Sequence, residues 1–143
     1  LRLYAFSSIL PAKFSVTYFL PQIIFPVEMN IEQFREYCLT KPGTSDDMPF
    51  GPETLVLRVG AKMFALCDIE HFESINLKSD PAKALDLREQ YPGITPGYHM
   101  NKKHWNTVMM DGSVNEKLVR EMIDMSYELV KASLPKTERE KLG

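Results

Sequence analysis

With only Cys38 and Cys67 in 143 residues, the chain lacks the cysteine density of a small disulfide-stapled secreted domain. Each cysteine lies in an apolar-patterned segment, which predicts two buried thiols in a reducing cytoplasm, the alternative being a single disulfide between them. Glycine-rich phosphate motifs are missing too: there is no P-loop and no dinucleotide G-x-G-x-x-G run. His99 and His104 lie five apart in an irregular segment with His71 distant, and no cysteine joins them at a ligand spacing, so neither metal nor cofactor is expected. Cys38 falls on a helical stripe and Cys67 in a strand, neither placed as a nucleophile, so no enzyme is expected. Repeats and low-complexity tracts are absent. Positive charge is not in excess either: 17 Lys+Arg face 19 Asp+Glu, a net of −2, which gives phosphate backbones no global attraction. What remains is an ordinary globular composition, 44% hydrophobic and 25% charged, of a length that suits one core.

Residues 1–28, "LRLYAFSSILPAKFSVTYFLPQIIFPVE", differ from the rest. Seventeen of them are apolar and only Arg2, Lys13 and Glu28 are charged. Lys13 and the prolines at 11, 21 and 26 break any run of about 20 apolar residues, so no membrane span is expected. The pattern of a cleavable signal peptide is not there either. Met29 stands directly before a good helix start, which predicts that 1–28 is an extension outside a domain spanning 29–143. The competing reading adds an apolar strand from this segment to a neighbour. Without the extension, 15 Lys+Arg face 18 Asp+Glu, so the domain itself is more acidic.

Asn30 and Gln33 form a capping box ahead of Ile31, Phe34 and Cys38, and "KPG" at 41–43 stops that helix. The segment 44–53, "TSDDMPFGPE", reads as a polar loop in which Phe50 plugs the core edge. Strand-like runs follow at 54–59 and 62–69, joined by Gly60-Ala61, and at 73–79, where Ile75 and Leu77 alternate with Ser74, Asn76 and Lys78. That alternation predicts a sheet with one solvated face. Asp80-Pro81 opens a second helix that ends at Tyr91-Pro92-Gly93. "GITPGYHM" reads as an irregular extended segment, Asn101–His104 as a loop, and "WNTVMM" as a strand. Ser113 and Glu116 suggest a capping box for the longest helix, which runs to Leu134-Pro135 with Leu118, Met122, Met125 and Leu129 as its apolar stripe. Ser126 and Tyr127 are expected at the helix–sheet contact. The sum is an α+β domain: an antiparallel sheet of about five strands with helices packed on one face.

"DMPFG", "GAKMFAL", "INLKSDPAKALDLREQYPGITPGYHMNKKHWNTV" and "MIDMSYELV", in this order, closely resemble the MmcQ/YjbR family of small bacterial proteins. The likeness covers residues 29–137. It implies a frataxin-like (CyaY-like) sandwich and DNA binding through paired wing-like hairpins. The wings would be the Gly60-Ala61-Lys62 turn and the loop Asn101-Lys102-Lys103-His104. The frataxin likeness also suggests iron handling by an acidic helix, for which the first helix has only Glu32 and Glu36, preceded by Glu28.

On the nucleic-acid reading, Lys102 and Lys103 meet phosphates, His99, Asn101 and His104 add hydrogen bonds, and Trp105 stacks on a base, with Lys62 and Lys78 extending the patch. On the plainer reading the lysines keep an exposed turn solvated and Trp105 fills the core. The expectation is therefore a small non-enzymatic bacterial binding module with DNA as its ligand. The alternative is a protein-interaction domain that uses the open sheet face.

Overall fold

Asn30 opens the first helix, α1 (Ile31–Leu39), by accepting from the Gln33 amide at 2.8 Å while the Gln33 side chain accepts from the Asn30 amide at 3.0 Å. Two amides that a helix start leaves without partners are thus satisfied, as the capping box predicts. The computed structural model describes residues 28–142, so the expectation for the N-terminal extension lies, except for Glu28, outside the described residues. After α1 come β1 (Thr44–Asp47), β2 (Thr54–Val59), β3 (Lys62–Asp68), β4 (Ser74–Lys78), α2 (Pro81–Gln90), β5 (Ile94–Pro96), β6 (Trp105–Met109), α3 (Glu116–Ala132) and α4 (Lys136–Lys141). The strands form one antiparallel sheet in the order β1-β2-β3-β4-β6-β5.

The sheet has six strands where five were expected, and the additional one is β1, in the segment read as a polar loop. Its pairing is a backbone ladder from Thr44↔Val59 to Asp47↔Val56, which needs no apolar alternation. Charge covers this edge instead: Asp46 accepts from Arg35 at 2.5 Å and Asp47 from Arg58 at 2.9 Å. Such an edge resists pairing with another chain. Phe50 does not plug the core; its side chain is 64% exposed.

One face of the sheet carries the main core. Leu57, Phe64, Ile75 and Val108 pack there against α1 and α3, and the Phe64 ring meets Tyr127 edge-on at 5.5 Å. The buried line of α3 is Val119, Met122, Ile123, Ser126, Tyr127 and Val130, whereas Met125 and Leu129 are 40% and 37% exposed. The apolar stripe read from sequence is therefore rotated. Ser126 and Tyr127 cause the difference, because polar-capable residues occupy the centre of the contact. The Ser126 hydroxyl donates to the Phe64 carbonyl at 2.5 Å and accepts from the Lys78 amide at 2.9 Å. Tyr127 donates to the Pro42 carbonyl at 2.6 Å. Each buried hydroxyl has its partner, as burial demands.

Two further expectations at the ends of α3 are corrected. Asn115 caps it, accepting from the Leu118 amide at 2.9 Å, in place of the Ser113–Glu116 box. Ser113 is drawn backwards, donating its hydroxyl to Asp111 at 2.6 Å, and that contact holds the Asp111 carboxyl below its ordinary value. At the other end the helix stops at Ala132 and α4 follows Pro135. No helix among the described residues is long and apolar enough to cross a membrane.

Cys38 and Cys67 are free and buried, as their surroundings predict. Burial pushes both thiols up, Cys67 to about 12. A group with its pKa raised this far stays protonated across the neutral range, and the thiolate is the reactive form. At about pH 8 a thiol reagent should therefore label neither cysteine in the native protein and both after denaturation. Rapid native labelling would show that one of them is open to solvent.

Candidate functional site

The segment between β5 and β6 is held by many bonds. Gly97 is buried, and a Cβ there would lie 2.8 Å from that of Trp105, so the chain can pass only as glycine. Its amide donates to the Trp105 carbonyl at 2.9 Å, and its carbonyl accepts from Lys102 Nζ at 3.0 Å. The Tyr98 amide donates to the Thr107 hydroxyl at 2.9 Å, and that hydroxyl donates to Asn76 Oδ1 at 2.5 Å. His99 sits at φ 58°, a left-handed conformation that side chains rarely adopt. Its ring lies 4.0 Å from that of Tyr98, and Tyr98 is 70% exposed.

Arg88 of α2 clamps this loop from the helix side. Its guanidinium donates to Asn106 Oδ1 at 2.6 Å, to the Lys102 carbonyl, and to the Trp105 carbonyl at 3.3 Å. The arginine was not singled out from sequence, since in the helical run it reads as one more solvated charge. Arg88→Ala should cost about 2 kcal/mol, the scale of hydrogen bonds to a charged group, and speed amide exchange across residues 98–104. Arg88→Lys should not restore protection, because a point charge cannot replace a planar fork. Unchanged exchange in Arg88→Ala would mean that the loop holds itself.

The predicted basic residues gather at one end of the sheet without sharing one face. The pairings Val59↔Lys62, Ala65↔Leu77 and Lys78↔Trp105 bring the start of β3, the end of β4 and the start of β6 to the same end. Lys62 turns to the helix side, where its ammonium donates to the Ser133 carbonyl at 3.0 Å and hydroxyl at 3.2 Å. Lys78, alternating with Leu77, belongs to the opposite face and is half-buried. Lys102 is exposed but spends its ammonium on Gly97, while Asn101 turns its side chain to the Lys103 amide at 3.0 Å. Among the described residues no partner holds the exposed Lys103 ammonium. His104 is half-buried, and its carbonyl accepts from the Ser79 amide at 2.7 Å. Trp105 is 7% exposed and packs with Val56, Leu66, Met63 and Met100 in a second apolar cluster. A ring so enclosed has no free face for a base.

The sheet face that no helix of the described residues covers, the open face, holds a cleft of about 590 Å³. Met63, Leu66 and Met100 give it apolar surface, Ser74 and Asn76 polar surface, and the exposed rings of Phe50 and Tyr98 stand at its sides. Asp68, His71, Glu73 and His99 line it as well, and among the described residues no lysine or arginine does. The alternation Ser74-Asn76-Lys78 foretold a solvated face. Nothing in the sequence foretold the cleft, since Phe50, Met63 and Met100 carry the same apolar character as core residues. Among the described residues, no group of three His, Cys, Asp or Glu side chains is arranged to hold a metal ion.

Comparison with other proteins gives a consistent result. The chain is 44% identical over 112 residues to the uncharacterised protein YbdF of Escherichia coli O157:H7, covering 78% of this chain and 92% of that one. It is 31% identical over 115 residues to the uncharacterised protein YjbR of Escherichia coli K12, covering 80% and 98%. Among solved structures, it resembles the crystal structure of the Deinococcus radiodurans protein DR2400, with a TM-score of 0.75 and 40% identity over 83% of this chain and 91% of that one. A protein from Pseudomonas syringae follows, with a TM-score of 0.60 and 34% identity over 71% and 98%. The YjbR family model matches residues 39–129, spanning the strands, the clamped loop and most of α3, and the chain belongs to the YjbR family.

Proposed function

We propose that this domain is a small non-enzymatic binding module whose contact surface is the open face of its sheet. The cleft carries the reading: apolar and polar lining with two exposed aromatic residues make a mixture suited to binding a partner. The clamped loop supports it, because a contact residue held rigid before binding loses less entropy on binding. The module is read as a frataxin-like sandwich, a reading supported by helices on one sheet face and, among the described residues, none on the other.

DNA binding through the wings is the second reading, favoured by the four lysines at one sheet end. Against it stand the net acidic charge, the commitment of Lys62 and Lys102 to carbonyls, and the enclosure of Trp105. The two readings separate in one NMR experiment with two probes on the full chain. One probe is a 12-base-pair DNA duplex at low and moderate salt, and the other is a dodecapeptide selected from a random displayed library. The sheet-face reading expects the peptide to move the Met63 and Met100 methyls and the Tyr98 amide. It expects DNA to bind weakly and to be lost with rising salt. DNA binding that persists at moderate salt and is abolished by Lys102→Glu with Lys103→Glu, with no peptide recovered, would put the wings ahead.

A further inference from the structure

We infer that the cleft takes a basic segment of a partner protein, seating an arginine or lysine side chain between Asp68, Glu73 and the aromatic pair. The inference rests on the sheet-face reading and names the chemistry of the partner. Its basis is charge complementarity. Among the described residues, two carboxylates line the cleft and no lysine or arginine does, so an anionic ligand meets repulsion there and a cationic one meets attraction. The remaining surface fits the same occupant. A lysine or arginine has a long apolar stem and a charged head, and Met63, Leu66 and Met100 offer the stem a floor. The rings of Phe50 and Tyr98, 64% and 70% exposed, offer faces on which a guanidinium or ammonium is attracted.

The carboxylates are held for this role by the turn between β3 and β4. Asp68 Oδ1 accepts from the Glu70 amide at 2.7 Å, which fixes the group and leaves its second oxygen for a ligand. Phe72 takes a left-handed φ of 48°, and its ring is anchored 5.7 Å from Phe34 in the main core. That anchor fixes the segment carrying His71 and Glu73 at the cleft.

Selection of displayed random dodecapeptides on the full chain tests the inference. The recovered peptides should be enriched in arginine and lysine, and their binding should fall about tenfold or more in Asp68→Asn with Glu73→Gln. Both substitutions keep shape and acceptor oxygens, so the turn at 68–71 and the melting temperature should be unchanged. Asp68→Asn alone should bind with an affinity between those of the parent chain and the double variant. Peptides without a cationic residue that still move Met63 and Met100 would overturn this inference and leave the sheet-face reading intact. Basic peptides whose binding ignores the double substitution would overturn it also. Peptides that map away from the cleft, or none at all, would remove the sheet-face reading together with it.

Discussion

Met122→Asp should unfold the domain under conditions that Met125→Asp withstands. Both residues lie on the same helix face when judged by apolar spacing, but Met122 is 4% exposed and Met125 40%. A carboxylate at 122 would be placed among the apolar side chains of the main core, at a cost of about 3 kcal/mol or more. At 125 the same group reaches water, and the change should cost about 1 kcal/mol or less, mostly helix propensity. Thermal melts of the two variants compare them directly. Equal melting temperatures would contradict the assigned rotation of α3.

Trp105→Ala should destabilise the protein by about 3–5 kcal/mol, the range for removing a large buried aromatic side chain. The ring ties the open-face cluster together, touching β2 through Val56 and β3 through Leu66, with Met63 and Met100 packed against it. Its loss should also loosen the cleft, because two of those neighbours, Met63 and Met100, form part of the lining. Urea titration of Trp105→Ala and Trp105→Phe should give a large and an intermediate loss. A loss below about 1 kcal/mol in the alanine variant would show that the indole is not a packing element.

These residues also mark where sequence patterns carry structural information and where they do not. Capping and alternation are local, and they located α1 through Asn30 and Gln33 and the two faces of β4 through Ile75 and Leu77. The family likeness was legible for the same reason, through ordered runs of residues. Features decided by distant partners were not legible. β1 exists because β2 offers its backbone edge, and the buried line of α3 is set by bonds from Ser126 to β3 and β4 and from Tyr127 to Pro42. The cleft belongs to this second kind. It gathers Phe50, Asp68, Asn76 and Tyr98 from four separate segments, and no spacing relates them. The stretch 101–105 was legible as a loop and a strand, but the destinations of Lys62 and Lys102 were not, because their acceptors are carbonyls that sequence does not reveal.

The most direct test of the sheet face as the contact surface is the affinity of Ser74→Arg for a library-selected dodecapeptide. Ser74 is half-buried in the cleft lining, and a long side chain there fills the space that a partner would occupy. Measured by calorimetry beside the parent chain, the variant should lose binding by about tenfold or more while melting at the same temperature. Undiminished affinity in a folded Ser74→Arg variant would contradict the account.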